Sequence, residues 1–206
     1  MFESTGSPQG DKFRSVFGPV DTKTGKIDVK AELDKEIYFG EGIVFFKDKI
    51  YQLTYRNKLG FMYDAKTYKK MGQFNYAGEG WGIIADGTYI IMSDGTENLR
   101  YFDADFKQVK VVSVSENGYT RDSINELEYI NGFIYANIWM TGYIVKIDPT
   151  TGKVVAKVNL TALSYDMRNL HPGALEMNGI AYDAAADKIY VTGKAWPSIY
   201  EVKFAH

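Results

Sequence analysis

The sequence predicts an all-β fold, a five-bladed β-propeller whose first blade is incomplete at the N-terminus. Three observations carry this. One phrase recurs: a polar-Gly-apolar opening, a turn, an apolar strand, a second turn, and a strand ending near Asp. Its openings are Glu41-Gly42-Ile43, Glu79-Gly80-Trp81, Asn125-Glu126-Leu127 (with Glu in the Gly place) and Asn178-Gly179-Ile180. The turns that follow, at Asp48-Lys49, Asp86-Gly87, Asn131-Gly132 and Asp187-Lys188, recur at the roughly 40–50-residue period of propeller blades. Composition agrees: 15% aromatic residues suit pleated surfaces, and 20 Gly against 5 Pro suit many tight turns. Helical periodicity is weak throughout, with one short helix expected around Leu160 to Tyr165.

Each repeat reads as four strands. Ile50 to Tyr55 pairs with Gly60 to Asp64, and Ile134 to Trp139 pairs with Gly142 to Asp148. Tyr89 to Met92 and Ile189 to Thr192 fill the second-strand position of their repeats. Asp-initiated turns close the third strands at Asp21-Thr22-Lys23-Thr24-Gly25, Asp64-Ala65-Lys66-Thr67 and Asp148-Pro149-Thr150-Thr151-Gly152. An Asp side chain bonds its own backbone there, and Gly takes positive φ. Gly72-Gln73-Phe74, Val109 to Val114 and Val154 to Leu160 are the fourth strands. A fifth repeat is partial. Phe2 to Gly6 matches a second strand, Phe13 to Val20 a third, and Ile27 to Leu33 a fourth. Its opening strand is missing, so residues 1–206 are expected to be one propeller domain truncated at the N-terminus. The alternative is that the last strands close the ring without that strand.

Charge and composition exclude several functions. The net charge is −2 with no basic block, which leaves no nucleic-acid partner. No apolar run approaches the ~20 residues of a membrane span. Absence of Cys excludes thiolate chemistry, and two His, His171 and His206, leave no His-based zinc site. No metal and no cofactor is expected.

Superposing the repeats gives two rings of side chains. The openings contribute Glu41, Glu79, Asn125 and Asn178; the ends of the second strands contribute Gly6, Tyr55, Asp94, Trp139 and Lys194. Apolar walls with a few aimed polar groups make a small-molecule pocket. A carboxylate among indole rings loses solvation and gains an acid/base range, which points to Glu41 or Glu79 as proton carrier. Each residue also has a plainer reading. Glu-Gly at a strand start is a common turn with a solvated acid. Trp81, Trp139 and Trp196 are core-type residues, Lys194 is a surface-type lysine, and Asn125 can cap a turn. Asp94-Gly95 reads as a β-turn, and His171-Pro172-Gly173 as a loop.

At these same residues the chain resembles the plant and bacterial type of glutaminyl-peptide cyclotransferase, the glutamine cyclotransferase family of glutaminyl cyclases. The resemblance runs through Glu3-Ser4-Thr5-Gly6, Tyr38-Phe39-Gly40-Glu41-Gly42, Gly78-Glu79-Gly80-Trp81-Gly82, Met92-Ser93-Asp94-Gly95, Asn125-Glu126-Leu127-Glu128-Tyr129, Ile134 to Trp139, Asn178-Gly179-Ile180-Ala181-Tyr182-Asp183 and Val191 to Pro197. It implies a five-bladed propeller and a metal-independent acyltransferase. The reaction converts an N-terminal glutaminyl residue of a peptide or protein into pyroglutamate and releases ammonia. It also implies catalytic roles for Glu41, Lys194 and Asn125, and substrate contacts from Phe39, Tyr55, Trp81 and Trp139, with Glu79 in support. The family usually has Trp at the position of Tyr55, and its opening Phe-Thr-Gln-Gly-Leu motif has no counterpart here. The family is commonly exported, so a periplasmic or secreted location is expected. Two other readings are a non-catalytic propeller that binds peptides or proteins, and a metal-dependent lactonase built on Glu41, Asn125 and Asn178.

Overall fold

The computed structural model describes residues 1–6 and 14–206. Its regular secondary structure is nearly all β, and it has the five-bladed β-propeller fold, each blade a small antiparallel sheet. The first sheet holds β1 (Phe2–Ser4), β2 (Val16–Pro19) and β3 (Ala31–Glu32). The second holds β4 (Gly40–Phe46), β5 (Lys49–Thr54), β6 (Leu59–Asp64) and β7 (Lys70–Asn75), and the third β8 (Ile83–Ala85), β9 (Ile90–Met92), β10 (Asn98–Phe102) and β11 (Gln108–Ser113). A small hairpin follows, β12 (Ser115–Glu116) with β13 (Tyr119–Thr120). The fourth sheet is β14 (Ile124–Ile130), β15 (Phe133–Ile138), β16 (Tyr143–Ile147) and β17 (Val154–Asn159). Helix α1 (Thr161–Leu170) leads to the fifth sheet, β18 (Met177–Asp183), β19 (Lys188–Gly193) and β20 (Tyr200–Val202). In every blade, strands adjacent in sequence are adjacent in the sheet. The first blade has three strands among the described residues, in the phases expected for second, third and fourth strands. The expected start of its middle strand, Phe13, lies outside those residues.

Turn chemistry explains why the chain reverses where it does. Ile130 pairs directly with Phe133, so Asn131-Gly132 is a two-residue turn, and both residues have positive φ, 48° and 87°. That is the type I′ geometry, whose twist matches the flanking strands and which Asn-Gly adopts at little cost. The third strands end in the same device three times. The Asp21, Asp64 and Asp148 carboxylates accept backbone N–H bonds from the second and third residues beyond them. These bonds lower all three carboxyl pKa values.

Helix α1 runs five residues past the expected end at Tyr165. Asn159 Oδ1 takes the Thr161 N–H at 3.0 Å, and the buried Met167 continues into the extra residues the inward face that Ser164 begins. The helix stops at His171, which is extended, as the residue before a proline should be.

The chain divides into two compact units. Met1–Asp94 with Arg100–Lys110 forms one, and Gly95–Leu99 with Val111–His206 the other. Inside the first unit, neighbouring blades pack face to face through two clusters. Phe17 of β2 meets Ile50, Phe61 and Tyr63 of the second sheet. Tyr51, Leu53 and Phe74 meet Ile90, Met92 and Phe102 of the third. Inside the second unit, Ile130, Tyr135 and Ile144 pack on Met177, Ile180, Ile189 and Val191. The alternation of each strand supplies these faces.

Polar side chains tie β14 and β15 to β18. Asn137 Oδ1 accepts the Gly179 N–H at 3.0 Å, and Glu126 Oε2 the Ile180 N–H at 2.7 Å. Glu128 accepts the Tyr182 N–H. Desolvation raises the Glu126 carboxyl, with the Glu128 charge adding to it, and pushes Glu128 up to about 8. A carboxyl raised in the folded state binds its proton there while the unfolded chain has lost it. Stability therefore falls as pH rises from the ordinary 4.5 toward 8. Thermal melts between these limits are expected to show a loss of at least about 1 kcal/mol. Glu128→Gln, which stays neutral and keeps an acceptor, is expected to flatten that slope; an equal slope in both proteins would contradict the assignment.

Candidate active site

One irregularity recurs at the head of three inner strands. In β4, Gly40 pairs with Thr54 and Ile43 with Gln52, so three steps on one strand face two on the other. The same happens in β14, where Ile124 pairs with Ile138 and Leu127 with Ala136. It happens again in β18, where Met177 pairs with Gly193 and Ile180 with Val191. Each is a β-bulge with one extra residue, a device that re-aims side chains at strand ends. The bulged pairs are Glu41-Gly42, Asn125-Glu126 and Asn178-Gly179, which are the openings read from the sequence. One residue beyond each bulge on the partner strand stand Tyr55, Trp139 and Lys194. In the second, fourth and fifth blades, members of both inferred rings therefore flank one backbone feature; the third-blade members Glu79 and Asp94 do not, since the β8–β9 register is regular.

A hydrogen bond fixes each of these ends. Tyr55 N–H donates to the Phe39 carbonyl (2.9 Å), Trp139 N–H to that of Ser123 (2.9 Å) and Lys194 N–H to that of Glu176 (3.0 Å). Phe39, Ser123 and Glu176 thus hold equivalent places.

In the first unit the bulge is tied on two sides. The Ser4 hydroxyl donates to the Glu41 carbonyl at 2.5 Å, and the Gly42 N–H donates to the Trp81 carbonyl at 3.0 Å. Phe39 packs on Tyr55 with ring centres 5.7 Å apart. Gly6, in the same phase as Tyr55, leaves space for Phe39: a Cβ on Gly6 would lie 2.1 Å from its ring. Arg56 lies over the Tyr55 ring at 4.5 Å and donates to its hydroxyl at 3.0 Å. Arg56 Nε also donates to Glu79 Oε1 at 3.2 Å, while the Trp81 indole N–H donates to Glu79 Oε2 at 3.0 Å. This unit thus brings Glu79 and Trp81 together beside Tyr55, with Phe39 against Tyr55 and the Glu41 bulge tied to the Trp81 backbone. Both Glu79 oxygens are engaged in holding other groups.

In the second unit, Asn125 is 5% exposed inside its bulge, and Trp139 is 42% exposed, so that indole is no core residue. Lys194 Nζ lies 3.0 Å from Glu176 Oε1. The Trp139 indole N–H donates to the same Glu176 carboxylate. Burial works to raise the Glu176 carboxyl, but its own backbone N–H, Lys194 and Trp139 outweigh it, so the acid is held below the ordinary range. Trp196 is half-buried against the fifth-sheet core and donates to the Leu175 carbonyl at 3.0 Å.

The structure differs from the sequence reading in places. Asp94, in the β9–β10 connection, does more than the expected turn: its side chain is buried and pairs with Arg100 at 2.9 Å. The carboxyls raised by desolvation include Glu3, Glu126 and Glu128, none of them expected to be site residues. Glu176 and Arg56 were missed. Glu176 becomes visible only once the register is known: with Met177 facing Gly193, the residue before one and the residue after the other form a cross-strand acid–base pair. Among the described residues no group of three or more His, Asp or Glu side chains is placed to hold a metal ion, and no helix is long and apolar enough to cross a membrane.

Comparison with known proteins agrees with this architecture. The family model for glutamine cyclotransferase matches residues 1–204. A glutaminyl-peptide cyclotransferase of Arabidopsis thaliana is 35% identical over 98% of this chain, and the chain spans 63% of that relative's length. The crystal structure of Myxococcus xanthus glutaminyl cyclase superposes with a TM-score of 0.77 at 29% identity, covering 98% of this chain and 94% of that one. The β-propeller domain of Cps50 (Swd1) from Myceliophteria thermophila matches at TM-score 0.53 and 9% identity, over 87% of this chain and 56% of that one, a likeness of fold alone. With the family model matched almost end to end, the chain belongs to the glutamine cyclotransferase family.

Proposed function

We propose that this protein cyclises N-terminal glutaminyl residues of peptides or proteins to pyroglutamate and releases ammonia. The observation that most supports this reading is the repeated bulge. It sets Glu41, Asn125, Tyr55, Trp139 and Lys194 at equivalent strand ends, on a chain whose family match is nearly complete.

The chemistry follows from what these groups can do. The substrate α-amine attacks the γ-carboxamide carbon, a C–N bond forms, and the five-membered ring closes. The amine must shed a proton, and the departing nitrogen must gain one before its bond to carbon breaks. A single carboxylate can take the first proton and return it to the leaving ammonia. Glu41 is assigned that role. Glu79 is assigned a supporting role, holding Arg56 and the Trp81 indole with its two oxygens. Lys194 and the Asn125 amide are assigned to the carbonyl oxygen, where negative charge grows in the transition state. Lys194 carries three donors, so its bond to Glu176 leaves others to offer. Phe39, Tyr55, Trp81 and Trp139 are assigned to substrate contact, where flat rings would hold the glutaminyl chain bent toward its amine and proximity would contribute much of the rate.

Ammonia release from a glutaminyl dipeptide is the assay, with a chelator present to separate this reading from metal-dependent hydrolysis. Glu41→Gln is expected to lose about 10²–10⁴-fold in kcat while still binding substrate, because size and hydrogen bonding are kept and only the proton carrier is gone. Near-normal turnover in Glu41→Gln with an inactive Glu79→Gln would transfer the role to Glu79. Lys194→Ala is expected to cost less, of order 10²-fold, since proton transfer stays intact. A Lys194→Ala enzyme as inactive as Glu41→Gln would contradict that division of labour.

A further inference from the structure

We propose that Glu176 is a positioning residue for the reaction, setting both the Lys194 ammonium and the Trp139 indole; the inference rests on the cyclase reading above. Glu176 has the same place in its blade as Phe39 has in the second: each offers its carbonyl to the residue just past the bulge, Lys194 in one case and Tyr55 in the other. The side chain at that place is an aromatic wall in the second blade and a carboxylate in the fifth. That carboxylate is mostly buried and lies 3.0 Å from Lys194 Nζ. It also accepts the Trp139 indole N–H. The backbone closes the arrangement from both sides, Lys194 N–H to the Glu176 carbonyl and Leu175 N–H to the Lys194 carbonyl, 3.0 and 2.9 Å.

A flexible lysine has many rotamers, and a single fixed partner selects among them. An indole with its N–H engaged is likewise held in one orientation. Glu176 does both with one group and fixes the lysine relative to the wall beside it. Glu79 is the counterpart in the first unit, shared by the Arg56 guanidinium and the Trp81 indole. Glu176 itself need not touch substrate, so its effect runs through Lys194 and Trp139.

The test is a double-mutant cycle on the whole protein with a glutaminyl dipeptide, reading kcat and KM separately. Glu176→Gln keeps the shape and the acceptor but removes the charge that holds Lys194. It is expected to lower kcat by about tenfold or more with KM changed by less than about threefold. Glu176→Asp is expected to recover part of the loss. In a Lys194→Ala background, Glu176→Gln is expected to cost less than about threefold further, because residues that act as a unit are not additive. Full activity in Glu176→Gln, or a loss that multiplies with that of Lys194→Ala, would overturn the proposal. So would a loss matched by an equal fall in thermal stability and unrelieved by Asp. Should the wild-type protein release no ammonia, the cyclase reading falls and this role falls with it; an active wild type with an indifferent Glu176 sinks this role alone.

Discussion

The arrangement of candidate residues depends on a β-bulge at the head of the inner strand, made the same way in the second, fourth and fifth blades. One extra residue between two ladder pairs breaks the alternation that would otherwise send successive side chains to opposite faces. Glu41, Asn125 and Asn178 owe their common phase to it, and Tyr55, Trp139 and Lys194 sit just beyond its far side. In the second and fifth blades the bulge is the polar-Gly opening itself, Glu41-Gly42 and Asn178-Gly179; in the fourth it is Asn125-Glu126. The bulges are also anchored outward: the Gly42 N–H reaches the Trp81 carbonyl, and the Gly179 N–H reaches the Asn137 side chain. A residue on an inner strand therefore reports to its neighbour blade as well as its own.

A second theme is the use of carboxylates as holders. Glu79 and Glu176 each clasp an indole N–H and a cation, Arg56 and Lys194 respectively. Glu126 and Glu128 clasp backbone N–H groups of β18 instead. These acids lie close to the candidate residues in sequence, and their partners distinguish their tasks. A carboxylate shared by an indole and a cation orients both, and Glu176 is held below the ordinary carboxyl range by them. One facing desolvated backbone takes up a proton and gives the blade contact its pH dependence.

Much of this was legible in the sequence. Period, turns and strand order followed from Asp-Gly and Asn-Gly pairs set among alternating apolar residues, and the two rings followed from superposing the repeats. Other features needed coordinates for physical reasons. The β12–β13 hairpin turns on Asn117-Gly118, whose φ values of 55° and 87° repeat the Asn131-Gly132 geometry. Its strands are two residues long, too short for alternation to register. The last turns of α1 rest on burial of Met167, a tertiary effect that local propensity does not carry. Asp94 and Arg100 are neighbours only because the β9–β10 turn folds one against the other. Glu176 was hidden because register must be known before its facing residue can be named.

The account's central claim is a chemical conversion, and mass spectrometry of a peptide beginning with Gln tests it most directly. Incubated with this protein, that peptide should lose one ammonia and become resistant to N-terminal sequencing. The same peptide with its amine acetylated, or with Asn in place of Gln, should be unchanged, since one lacks the nucleophile and the other cannot close the five-membered ring. A Gln peptide that binds the protein yet keeps its mass would contradict the account and leave a peptide-binding propeller in its place.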